Sequence, residues 1–138
     1  MKSFGLLQGD RTPCGTPIPL SCAYALIHLL EAGRRGDAPP QHELASVLHI
    51  DKSNVARLCA KMERDGLVAQ RRAEGDGRSR LLALTPKGRA LAERVESASS
   101  ARFARLLAAV PGHVRSSLLP ALEALAEAAA TLDTEVPS

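Results

Sequence analysis

One short stretch, residues 41–88, limits what this chain can fold into more than any other: QHELASVLHIDKSNVARLCAKMERDGLVAQRRAEGDGRSRLLALTPKG. Leu44, Ala45, Val47 and Leu48 share the inward face of a helix over Gln41–Leu48. A turn follows at His49-Ile50. Asp51 then offers its carboxylate to the free amides of a second helix, Lys52 to Asp65, whose inward stripe is Val55, Leu58, Cys59 and Met62. Gly66 stands where a helix ends on a left-handed residue. Leu67–Arg72 and Ser79–Leu84 carry strand signals, and the polar AEGDG between them predicts a hairpin with a loop longer than the tightest kind. Thr85-Pro86 opens another helix, with Thr as cap and Pro at the first helical position, where its missing N–H is not needed.

Around this stretch the pattern is helical. Leu20, Ala23, Ile27 and Leu30 predict a helix over Ile18–Ala32 that ends at Gly33. Gly36, Asp37, Pro39 and Pro40 make Arg34–Pro40 a loop. The helix after Thr85 reaches Val110, Pro111-Gly112 breaks it, and a last helix spans His113–Leu132 with a kink expected at Pro120. A length of 138 residues suits one domain, and with 45% apolar residues but only 2% aromatics the core must be built from Leu, Ala and Val. That favours packed helices over a sandwich or barrel. The expected fold is mainly α with a small β-hairpin wing: a winged helix-turn-helix with terminal dimerisation helices. Residues 1–138 form one domain in this reading, with 18–88 as its core and 1–17 and 89–138 as the dimerisation region.

Charge is unevenly spread. From Lys52 to Arg94 there are eleven Lys/Arg against five acids, an excess of six, so the remainder carries −3 of the +3 total. A concentrated positive region on a near-neutral body is the footprint of a polyanionic partner. Lys52, Ser53, Asn54, Arg57 and Lys61 lie on the faces of the second helix left polar by its apolar stripe. Ser and Asn are short enough to reach base edges or phosphates, and Arg57 can bind guanine bidentately. Arg71, Arg72 and Arg80 on the hairpin add charge directed at phosphates.

The segments ELASVLHIDKSNVARLCAKMERDGLV and DGRSRLLALTPKG resemble the MarR family of bacterial transcription regulators. The resemblance runs from about Leu20 to Leu91, and Asp-x-Arg followed by Leu-Thr-x-x-Gly is its more specific half. It implies that Arg78 sits at the wing tip and enters a narrow, electronegative minor groove, with Asp76 pairing a nearby arginine to hold the tip in shape. It also implies a homodimer on a pseudo-palindromic double-stranded DNA site, most often a repressor, released by a small-molecule or oxidant signal. The alternative is a winged helix that binds a partner protein, against which the concentrated charge argues.

Three departures from the family stand out. His49 takes the turn position usually given to Gly, and so must accept a strained backbone or shift the turn. Pro40 replaces the usual Ser/Thr cap. Residues 1–17, with Gly5, Gly9, Pro13, Gly15 and Pro17, stand where the family has a full helix. Dimerisation then rests on Arg89–Val110 and His113–Leu132, whose Leu106, Leu107, Val110, Leu118, Leu119, Leu122 and Leu125 exceed what a small winged domain can bury. Cys14 and Cys22 are candidate oxidant sensors by resemblance, while Cys59 falls on the apolar stripe. Three cysteines without metal-ligand spacing, no signal-peptide pattern and no apolar run of about 18 residues point to a reducing, cytoplasmic setting without a membrane span. No catalytic set, cofactor motif or metal-binding pattern is present in the sequence.

Overall fold

The computed structural model describes residues 16–135, except the side chains at 76–78 and 133–135. The order is α1 (Leu20–Arg34), α2 (Gln41–Leu48), α3 (Lys52–Arg64), β1 (Val68–Ala73), β2 (Asp76–Leu84), α4 (Pro86–Ala109) and α5 (Gly112–Glu135). These divide into two compact units, one reaching Ser100 and the other beginning at Ala101.

The first unit is a winged helix-turn-helix. Leu26, Leu30, Leu44, Met62 and Leu82 are its largest fully buried apolar side chains, joined by Val55, Cys59, Val68 and Ala92. Each buried Leu is worth about 1.5–3 kcal/mol relative to leaving it in water. One cluster therefore ties α1, α2, α3, the hairpin and the start of α4. Burial on α1 is broader than the expected stripe, taking in Cys22, Ala23, Ala25, Leu26, Leu29, Leu30 and Ala32. Leu20 and Ile27 are only half-buried, and Val47 on α2, expected inward, is 46% exposed.

Three helices end in the same way. The amide of the residue after a left-handed one donates to the carbonyl five back, and the left-handed residue itself donates to the carbonyl three back. The pairs are Asp37 to Ala32 at 2.9 Å with Gly36 to Gly33, Ile50 to Ala45 at 3.2 Å with His49 to Ser46, and Leu67 to Met62 at 2.8 Å with Gly66 to Glu63. The left-handed residues are Gly36 (φ 75°), His49 (φ 54°) and Gly66 (φ 74°). His49 thus accepts the strained conformation. Gly33 does not end α1: the helix continues to Arg34 because the left-handed stop lies at Gly36. The helix begins at Leu20, after Pro19, whose ψ of 147° is extended.

The hairpin is antiparallel and regular from Val68↔Leu84 to Arg72↔Arg80, after which Ala73 pairs with Asp76. The turn is therefore only Glu74-Gly75, shorter than the expected loop. Gly75 takes φ 81°, the sign that a type II turn demands at its third residue. The residues expected in the loop are instead absorbed by β2 as a bulge across 77–79. Pro39 adds a strand-like contact, accepting from the Leu82 amide at 2.9 Å.

The junction from hairpin to α4 is close-packed. The Thr85 hydroxyl accepts from the Gly88 amide at 3.0 Å and donates to the Gly66 carbonyl. The Thr85 amide donates to the Leu67 carbonyl at 3.0 Å. Arg34 grips Glu96 with two 2.8 Å bonds, fastening α1 to α4, and His28 meets Glu43 at 3.3 Å between α1 and α2.

The second unit comprises the end of α4 and α5. Pro120 lies inside α5 without ending it. No helix among the described residues is long and apolar enough to cross a membrane.

Candidate nucleic-acid interface

Asp51 organises the start of α3. Its carboxylate accepts from the Asn54 amide at 2.8 Å, the Ser53 hydroxyl at 2.8 Å and the Asn54 side-chain amide at 3.1 Å. The Asn54 backbone bond and then the Ser53 hydroxyl hold the Asp51 carboxyl below its ordinary range. Ser53 and Asn54 are therefore fixed by the cap, and what they offer outward is their acceptor oxygens and the second side-chain N–H of Asn54.

Lys52, Ser53, Asn54, Arg57 and Lys61 are all exposed, as expected, but they do not share one direction. Ser53 and Arg57 fall on the stripe opposite Val55, Cys59 and Met62, and that stripe continues through Ala60 to Arg64 at helical spacing. Arg64 belongs to this outer face and was missed in the sequence reading. Its signal was available, since it lies eleven residues after Ser53, three helical turns on. Lys61 is turned toward Asp65 in a 2.8 Å ion pair, which raises the lysine pKa and lowers that of the carboxyl.

On the hairpin, Arg72 and Arg80 are cross-strand partners on one face, while Arg71 pairs with Leu81 on the other. Like charges directly opposite one another destabilise a strand pair. Among the described residues no ion pair offsets them. The side chains of Asp76 and Arg78 lie outside the described residues; the backbone places both in the bulged start of β2, next to the turn.

Two concavities flank α3. One, of about 300 Å³, is lined by Pro40, Gln41, His42, Lys52, Val55, Ser79 and Arg80. The other, of about 610 Å³, lies between the start of α1 and α3 and is lined by Ile18, Cys22, Leu58 and Met62 together with Asn54, Arg57 and Lys61.

Both described cysteines are buried. Burial pushes the Cys22 thiol up, against a smaller opposing pull from Lys61, and pushes Cys59 to about 11. Protonated thiols are poor nucleophiles, the reverse of what oxidant sensing needs. Cys14 lies outside the described residues. Among the described residues no group of three His, Cys, Asp or Glu could hold a metal.

With this geometry in place, the comparisons are concordant. Residues 16–79 match the model of the MarR family. No curated protein matches the chain. Among solved structures, a probable transcriptional regulator from Pseudomonas aeruginosa is 25% identical over 81% of each chain, with a TM-score of 0.64. A MarR transcriptional regulator from Methanosarcina mazei is 28% identical over 78% of each, at 0.63. Streptococcus pneumoniae FabT, solved in complex with DNA, shares the fold at 18% identity and 0.71, covering 83% of this chain and 78% of its own. The fold is therefore the winged helix seen in these transcriptional regulators. Over residues 16–79 the chain is similar to the MarR family, and it shares the winged helix-turn-helix fold of such regulators.

Proposed function

We propose that the chain is a homodimeric regulator that binds a pseudo-palindromic double-stranded DNA operator and acts as a repressor in the cytoplasm. The carrying observation is the run of exposed arginines in the first unit, Arg57 and Arg64 on the outer face of α3 and Arg72 opposite Arg80 on the hairpin, none of which makes an ion pair among the described residues. Residues 18–88 read DNA: α3 enters the major groove, Arg57 reads a base edge, Ser53 offers its acceptor oxygen to a base-edge donor, and Lys52, Asn54, Arg71, Arg72 and Arg80 set the register through phosphates. Lys61 contributes charge once freed from Asp65. Arg78 enters the minor groove and Asp76 holds the wing tip.

Dimerisation falls to residues 89–138, supported by the exposed apolar side chains of α5. An effector releases DNA by changing the spacing of the two α3 helices. The 610 Å³ cavity supports this role, because a small molecule in it would touch α3 directly. A small molecule fits the signal better than an oxidant does at Cys22, given its burial.

Selection from a mixed duplex library tests the reading. It should recover an inverted repeat with half-site centres about 34–36 Å apart; a library without enrichment overturns it. Arg78→Ala should weaken binding and lower the salt slope by about 0.9, and an unchanged affinity removes the minor-groove role.

A further inference from the structure

The 300 Å³ cleft beside the start of α3 draws on three separate elements. His42 comes from α2, Lys52 from α3 and Arg80 from β2, with Val55 and Pro40 as apolar lining. Among the described residues no carboxylate lines it. Neither Lys52 nor Arg80 makes an ion pair among the described residues, and Arg80 also faces Arg72 across the strands. The cleft therefore concentrates donors and positive charge, and among the described residues no ion pair neutralises Lys52 or Arg80. Its volume equals that of about ten waters at ~30 Å³ each, so an anion of phosphodiester size enters with part of its hydration.

We infer that this cleft is a docking point for one backbone phosphate of the DNA, with His42 as a contact residue alongside Lys52 and Arg80. The inference rests on the DNA-binding reading above and deepens it. Lys52 is the first residue of α3, so a phosphate held here sets how deep that helix sits in the groove. Arg80 is on the wing, so the same phosphate sets the angle between helix and hairpin contacts. His42 adds a donor from α2, whose start is fastened to the hairpin by the Gln41–Gln70 side-chain bond. A phosphate contact positions the protein without reading sequence.

The test uses the full chain with two probes, the tightest duplex from the library selection and a mixed-sequence duplex, each titrated by fluorescence anisotropy across a salt series. His42→Ala should weaken both by a similar factor, about three- to tenfold, the worth of one hydrogen bond. Lys52→Gln and Arg80→Gln together should flatten the log K against log salt plot by about 0.9, the share of one phosphate. All three side chains are exposed, and melting curves check that the variants remain folded. His42→Ala with wild-type affinity for both probes overturns the inference. So does a loss confined to the selected duplex, which would make His42 a base reader. A wild-type protein that binds neither duplex overturns the DNA reading itself, and the cleft assignment with it.

Discussion

Gly88 shows how a single residue holds the wing against the helices. A Cβ built there would lie 1.9 Å from the Leu67 carbonyl oxygen and 2.8 Å from its carbon. The first turn of α4 touches the backbone at the root of β1, and only hydrogen fits between them. The Leu-Thr-x-x-Gly pattern thus has a physical reading: Thr85 bonds Gly66, Gly88 and Leu67, and Gly88 permits the approach those bonds require. Gly88→Ala should cost about 3 kcal/mol or more, because backbone must move. Urea unfolding checks this, and a cost under ~0.5 kcal/mol, as at an ordinary surface position, would show that the contact is not tight. His49 is the opposite case. A β-carbon is present where glycine is easiest, and the left-handed conformation costs roughly 1–2 kcal/mol. That substitution was visible in the sequence, whereas the choice to strain the backbone and keep the turn was made by the Ile50 and His49 bonds back to α2.

At the scale of elements, the caps of α3 and the start of α4 were legible, while the end of α1 and the strand register were not. Asp51, Gly66 and Thr85-Pro86 act locally, through bonds to residues within one turn, so their roles could be read from neighbours alone. The hairpin tip depends on which of two glycines turns the chain. Gly75 does so, and the bulge at 77–79 then carries the surplus residues. The α3 cap also sets an acid limit. Because bonds from Asn54 and Ser53 lower the Asp51 pKa in the folded protein, the cap stabilises above the unfolded value of 3.8 and is lost as pH falls through the lower folded value. Asp51→Ala should melt below wild type near pH ~7, and the gap should narrow below about pH 3.8 as the wild-type carboxylate is protonated. A constant gap across that range would mean that ionisation of Asp51 plays no part in the cap.

For the whole molecule, the second unit raises the question of association. Val114, Leu122, Leu125 and Leu132 stand 42%, 42%, 66% and 63% exposed. With the half-buried Leu118 they follow three- and four-residue spacing along α5, as one side of a helix does. A stripe this long is more apolar surface than an isolated helix leaves in water. Replacing Leu122 and Leu125 together with Glu should leave the first unit folded, halve the mass seen by analytical ultracentrifugation and weaken operator binding; an unchanged mass would place the dimer contact elsewhere. The sequence by itself determined the helix-turn-helix, the hairpin, their caps and the excess of positive charge, because periodicity, capping and charge count are properties of near neighbours. Only the tertiary structure decided that Arg72 confronts Arg80 and that His42, Lys52 and Arg80 line one cleft. Those facts depend on the azimuth of α3 about its axis and the register of the strands, which are set when the shared core of α1, α2, α3 and the hairpin closes.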